Sequence, residues 1–459
     1  MDAEERERRD AAEAALGVVS KRDLAESMRM IRKYATPYCE LLARTELGQH
    51  LREMVVGLTS DLERKSVEPI AVMHGVQRRT LEHFVGGSRW EWDPLMDQLR
   101  REVTQEIGVE DGSLVIDGSA TPKKGNATVG VTRQWCGRLG KQDNCVVGVY
   151  AAYVGKDDST ALVAADLFLP KEWAEDMERR AEVYVPLEVT YRTQPEIGIE
   201  IVEQMAAELP FAWVLADDEY GRTRAFRDKV RALSKSYVVD VPKDTIVRRI
   251  RQGTTETLER GQWQIQDLRR RIPVRSWSRF HIRDGEKGPI EARATMLPIA
   301  THRDDETWVK ETLVIIETLD GSERWYCLAH GPPGTPLSEF VRRAKLRHRV
   351  EETFGECKGE VGLDHFETRT WQGWHHHMLL CLIALWFLLR EKRRLGKKSA
   401  GPHRQHDPRG DRPALLPGHS RALCQSPELP PRSQRGVPAV PLQGTGTCCA
   451  ATAGSGIAS

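Results

Sequence analysis

Two short apolar runs, each closing on an aspartate, do most to limit what this chain can fold into. Leu114, Val115 and Ile116 precede Asp117, and Val214, Leu215 and Ala216 precede Asp217. Runs this short and this aliphatic read as strands. Each carboxylate is thereby set among hydrophobic neighbours, where a lone charge is costly unless it is paired or metal-bound. Asp218 follows at once but points to the opposite face, because side chains alternate along a strand. CVVGVYAAYVG, ALVAADLFL and SYVVDVP are further β-rich runs, and the helical segments IGIEIVEQMAAEL and FRDKVRAL fall between the later ones. In the first of these helices Ile197, Ile201 and Met205 recur at helical spacing. Such strand–helix–strand alternation predicts an α/β layer architecture. Taken singly, an aspartate at a strand end is equally well a turn former or a helix cap.

The flanking segments have different textures. To about Pro94 the chain reads as helical, with Leu24, Met28, Ile31, Leu41 and Leu42 recurring among charges. Within it, Ser66 to Val85 holds Ile70, Ala71, Val76, Leu81 and Val85 around Gly75, which supplies a turn between two short helices. The second of these would carry Gln77, Arg78, Arg79 and Thr80 at its start, as a helix-turn-helix offers polar side chains to a major groove. An ordinary helical hairpin has the same pattern. Residues 244–326 hold FHIRD, ARATMLPIA, ETLVIIETL and ERWYCLA, and read as a β-rich insertion. A long helix is predicted from Ser338 to Lys358, with an apolar helix from Met378 to Leu389 behind it. The tail, 397–459, is rich in Pro, Gly, Arg and Ser without periodicity. It is expected to be disordered, of the kind a frameshift leaves.

Composition narrows the class. With 459 residues, 40% hydrophobic and 29% charged, the chain suits a soluble protein of two or three domains. MDAEERERRDAAEAA is no signal peptide, and MLLCLIALWFLL falls short of the roughly 20 apolar residues that span a bilayer. A cytoplasmic location without membrane contact follows. The nine cysteines show no zinc spacing, and Cys136, Cys145, Cys327, Cys357 and Cys381 are expected as buried thiols. A net charge of +1 conceals basic clusters at Arg269 to Arg283, Arg342 to Arg349 and Arg390 to Lys398. Those clusters, rather than the total, are what a phosphate backbone would meet.

Arg347, Glu351 and Lys358 stand four and eleven residues apart. At about 100° per residue they return to within roughly 40° of one direction and share a helix face. Val350, Phe354 and Cys357 form its packing edge. A charged stripe of this kind also suits a solvated face with Arg347 bridging to Glu351.

Taken together, VIDGSATPKKG, TRQWCGRLGKQDNCVVGV, LFLPKEW, VLADDEYG and RVEETFGECKGEVGLDHFETRTWQGWHHH resemble the bacterial insertion-sequence transposases of the DDE superfamily. More narrowly, the chain resembles the group whose third acid sits in a Y-x2-R-x3-E-x6-K signature. The likeness runs over residues 20–398. It implies an α/β, ribonuclease H-like catalytic core in two parts, 105–243 and 327–396. The β-rich insertion lies between them, and a helical DNA-binding domain occupies 1–95. Carried over by position, Asp117, Asp217 and Glu351, rather than Glu352, hold two Mg2+ (or Mn2+) ions for in-line phosphoryl transfer. Arg347 and Lys358 hold flanking phosphates, joined by Lys123 and Lys124, while Arg78 and Arg79 contact DNA from the helical domain. Ala344 replaces the signature Tyr, and the tail departs from the helices that relatives carry there. The implied partners are double-stranded DNA, as inverted-repeat ends and as target, and a second copy in a synaptic homodimer. Alternatives are a catalytically defective copy that only binds DNA or represses its parent, and a nuclease of the same fold that transfers no strands. Tyr220, Trp371 and Trp374 suit either base stacking or the core. His375, His376 and His377 point about 100° apart on a helix and cannot share one ion.

Overall fold

A computed structural model describes residues 21–251, 257–285, 288–302 and 307–399. The tail expected to lack order lies, from residue 400 onward, outside them, as do the side chains of Leu24 and Met28. Five helices come first: α1 (Lys21–Glu40), α2 (Thr45–Leu58), α3 (Val67–His74), α4 (Arg78–Gly86) and α5 (Asp93–Ile107). Gly75 ends α3 in the left-handed region at φ 64°, which a glycine adopts without strain. Pro94 opens α5, where its missing N–H leaves no bond unmade. Leu51, Met54, Leu58, Ile70, Leu81 and Phe84 are buried between α2, α3 and α4. Gly57 permits the close approach of α3, because a Cβ there would lie 2.5 Å from Ile70 Cγ2.

Strands and helices then alternate. β1 (Ser113–Pro122), β2 (Thr132–Cys136), β3 (Lys141–Val154) and β4 (Thr160–Leu167) lead to α6 (Lys171–Glu175), α7 (Met177–Glu182) and α8 (Gln194–Glu208). Thr193 and Glu196 close a reciprocal capping box at the start of α8, satisfying free N–H groups from both sides. β5 (Trp213–Ala216), α9 (Asp218–Gly221), α10 (Arg224–Ala232) and β6 (Ser236–Asp240) follow. β1, β5 and β6 run parallel, whereas β3 and β4 extend the sheet antiparallel from β1.

The predicted insertion, 244–326, forms β7 (Ile246–Arg249), β8 (Trp263–Gln264), α11 (Ile265–Arg269), β9 (Ser278–Gly285), β10 (Gly288–His302) and β11 (Trp308–Thr318), and its last residues open β12 (Arg324–His330), which runs on past it. These strands make no separate layer. Cys327 to His330 of β12 pair with Asp240 to Tyr237 of β6, and β11, β10, β7 and β8 continue outward in one sheet.

Two helices, α12 (Leu337–Leu346) and α13 (His348–Val361), stand where one long helix is predicted. At the joint, Val350 N–H bonds to Arg347 O at 3.2 Å, a three-residue turn that breaks the four-residue ladder. The final helix, α14 (Trp371–Ser399), buries every residue from Met378 to Leu388, which explains an apolar run too short for a membrane. Among the described residues no helix is long and apolar enough to cross one. Tyr150 on β3 packs edge-on against Phe354 of α13, and its hydroxyl meets Met378 Sδ at 3.3 Å. Asp117 is paired with Tyr150 in the β1–β3 register and shares that face. Ile116 faces the other way, onto Gly198 of α8.

Candidate active site at the ends of three parallel strands

Ile116, Ala216 and Val239 are register partners across β1, β5 and β6. The next residue on each strand is Asp117, Asp217 and Asp240, so three aspartates stand side by side where the parallel pairing stops. Sites of α/β sheets form at such carboxyl ends, where the chain turns away and leaves a crevice. β1 differs from the other two strands, because its antiparallel pairing with β3 runs on to Pro122. Asp117 is therefore held inside a strand, while Asp217 caps the short α9 by accepting from Glu219 N–H at 3.1 Å. Asp117 Oδ1 accepts from Gly118 N–H at 2.7 Å.

The crowding of carboxyls shows in their acidity. Burial, and then the charge of Asp217, push the Asp117 pKa up to about 7, against the opposing pull of Arg347 and the Gly118 N–H. Burial also raises Asp217, partly offset by the Glu219 N–H, and raises Asp240 in spite of Arg347. Oxygen donors of this kind, kept from easy ionisation by burial and one another, suit a hard divalent cation whose charge would reverse the shift.

Glu351 comes from α13 and is exposed. Its carboxylate meets Arg347 Nη1 at 3.4 Å and His348 Nδ1 at 3.2 Å. Arg347 turns its Nε to Asp240 at 2.9 Å. Burial opposes the charge on Arg347, yet Asp240, Glu351 and Asp117 together raise its pKa. Asp117, Asp217, Arg347 and Glu351 thus interact in one site. Among the described residues, however, no three His, Cys, Asp or Glu side chains converge closely enough to hold an ion. The Arg347 guanidinium supplies positive charge to the carboxylates around it.

The other predicted cations divide. Lys358 is half-buried, its pKa lowered by burial, with Asp364 and Asp117 among the charges acting on it. Lys123 donates to Phe366 O at 2.5 Å and lies 3.2 Å above that ring, and burial lowers its pKa to about 8. Lys124 is exposed. Arg78 and Arg79 lie exposed in the first turn of α4, where Arg78 pairs with Glu82 at 2.7 Å and Glu68 at 3.3 Å. The basic clusters are partly engaged inside the protein. Arg343 is 1% exposed and bonds Asp111 O, Ser113 Oγ and Glu339, and Arg269 pairs with the buried Glu317.

Trp371, Trp374 and Tyr220 are core residues. The histidine run serves packing: His376 stacks on Trp90 at 3.6 Å, and His377 Nε2 meets Gly362 O at 3.0 Å. Cys136, Cys145, Cys327, Cys357 and Cys381 are free and buried, as expected. Asp240 is the residue that sequence reasoning passes over. Its signal is present in SYVVD, a third apolar run closing on an aspartate.

The family model described as DDE superfamily endonuclease matches residues 37–295, more than half of the chain, and the chain belongs to that family. The matched stretch contains Asp117, Asp217 and Asp240 and ends ahead of Glu351. A curated relative, the probable transposase for insertion sequence element IS701 of Microchaete diplosiphon, is 26% identical over 359 residues, covering 76% of this chain and 84% of the relative. Among solved structures, the chain is similar to the piggyBac transposase in a cryo-EM synaptic complex with hairpin DNA. That likeness has a TM-score of 0.39 and 9% identity, over 85% of this chain and 76% of the other.

Proposed function

We propose that this endonuclease is a DNA transposase, which binds the terminal inverted repeats of an insertion sequence and carries out metal-dependent strand cleavage and strand transfer. The observation that carries the reading is the pair Asp117 and Asp217, side by side at the ends of β1 and β5 with both pKa values raised. The long match to an insertion-sequence transposase supports it. The strand order β4-β3-β1-β5-β6, with only the last three parallel, supports a ribonuclease H-like core formed by 105–243 and 327–396 around the insertion 244–326. The exposed first turn of α4 supports a helix-turn-helix role within 1–95, with Arg78 and Arg79 on DNA.

Asp117, Asp217 and Glu351 would hold Mg2+ or Mn2+, two ions in the full site. Divalent ions held there would supply the positive charge that activates a water or 3′-hydroxyl and stabilises a leaving oxygen. The protein's own part is positional. β1 and β5 fix two carboxylates on a rigid sheet, and α13 brings the third from across the crevice. Arg347 and Lys358, one face of the helical pair, bind the phosphates flanking the reacting one, assisted by Lys123 and Lys124. Double-stranded DNA and a second copy of the chain are the proposed partners. The alternative of a catalytically defective DNA-binding copy is not favoured, since all three acids are retained.

Purified protein incubated with DNA carrying the element's ends tests the reading. Cleavage requiring Mg2+ or Mn2+ is expected, with a loss of about a thousandfold or more in Asp217→Asn and end binding retained, as befits a group acting in the transition state. Unchanged cleavage in that variant removes the metal-site assignment.

A further inference from the structure

Asp240 closes β6 beside Asp217, one register step beyond Val239. Both of its oxygens are engaged. Oδ2 receives Arg347 Nε at 2.9 Å, and Oδ1 accepts from the buried Cys327 Sγ of β12 at 3.2 Å. Arg347 reaches Glu351 with Nη1 alone, at 3.4 Å. A guanidinium favours a carboxylate through two parallel N–H···O bonds, and its Nε–Nη edge supplies such a fork. Glu351, four residues on, is the next carboxylate within reach of that edge. A forked Arg347–Glu351 pair would withdraw Glu351 from any cation, because arginine does not release its proton.

We propose that Asp240 is a positioning residue of the active site: by fixing the Nε edge of Arg347 it keeps the guanidinium from closing on Glu351, and leaves that carboxylate free to join Asp117 and Asp217 on a divalent cation. The inference rests on the metal-binding reading above. It also ties β12 to the chemistry, because Cys327 provides the thiol that orients the second oxygen of Asp240.

Mn2+ titration calorimetry on the full chain without DNA, with thermal melts to verify folding, tests this. Asp240→Asn is expected to weaken Mn2+ binding about ten- to a hundredfold, the scale for losing a partner that orients a metal site. Adding Arg347→Lys to Asp240→Asn should recover at least roughly a third of that loss on a logarithmic scale. Lysine keeps the charge but has no planar fork, so recovery there is not an effect of net charge. Unchanged binding in Asp240→Asn, or a loss that Arg347→Lys does not relieve, overturns the proposal; the latter makes Asp240 a ligand itself. Arg347→Gln alone covers the case in which Asp240→Asn does not fold. It should bind Mn2+ at least as tightly as wild type, and weaker binding overturns the proposal. Wild-type binding that is absent, or indifferent to Asp117→Asn, removes the metal reading and this inference together. Binding that needs Asp117 but ignores Asp240→Asn removes this inference alone.

Discussion

Replacing Asp117 with asparagine isolates the charge that the site bears with most difficulty. Without metal, its pKa stands at about 7 rather than 3.8, through burial first and Asp217 second. Between about pH 4 and pH 7 the folded chain therefore keeps a proton that the unfolded chain has released. Because the folded value is the higher one, the stability this proton contributes is complete below about pH 4 and is lost as pH rises through about 7. At 1.36 kcal/mol per pH unit of difference, the contribution falls by about 2.5 kcal/mol between pH 5 and pH 8. Solvent reaching the half-buried carboxyl screens part of this, leaving about 1.5–2.5 kcal/mol. Urea unfolding in EDTA at the two pH values measures it. The wild type should lose that much more stability than Asp117→Asn over the same interval, since groups distant from the site titrate alike in both. Replacing EDTA with Mn2+ at pH 8 should stabilise the wild type and leave the variant nearly unchanged, by mass action on the folded state. Equal losses in the two proteins would refute the argument that burial beside Asp217 burdens Asp117.

Two further outcomes follow from buried polar groups. Glu311 is fully buried and pairs with Arg227 Nε at 2.9 Å and Arg224 Nη1 at 3.2 Å, with Tyr237 and Thr301 hydroxyls also donating to it. Glu311→Gln should destabilise the chain by about 3–5 kcal/mol in urea unfolding, since it strands two guanidinium groups; a loss below about 1 kcal/mol contradicts the arrangement. The Tyr220 hydroxyl is buried and has no hydrogen-bond partner among the described residues. Tyr220→Phe should leave the metal-free melting temperature unchanged or slightly raised, because it removes an unsatisfied polar group; a marked drop would mean that the hydroxyl is bonded.

The parts of the fold legible in the sequence are those set by local pattern. Short continuous apolar runs locate β1, β5 and β6, because these strands are buried on both faces, and the helical spacing of Ile197, Ile201 and Met205 locates α8, because one face of that helix is buried. Asp117 and Asp217 stand out for the same reason, as charges interrupting apolar runs. Strand pairing is not local. Nothing near Cys327 says that it will lie opposite Asp240, some ninety residues earlier, so neither the continuous sheet nor the third aspartate of the row is visible until the strands are paired. The break at Arg347 is hidden because no proline or glycine marks it. Arg343, in a run of basic residues, reads as surface. It is buried because Asp111 and Ser113, remote in sequence, and Glu339, one turn back on its own helix, converge on its guanidinium.

The pairing of β12 with β6 also decides where this protein is sticky. Were β12 absent, β6 would present Tyr237 to Asp240 as an open row of amides and carbonyls beside the candidate site, ready to recruit a strand from another molecule. With β12 in place, the sheet runs on through β11 and β10 to β7, β8 and β9, so its edge is moved away from Asp240. β12 is thus a cover for the edge of β6 as well as the source of the thiol that meets Asp240. A variant lacking β12 would need a new cover for β6.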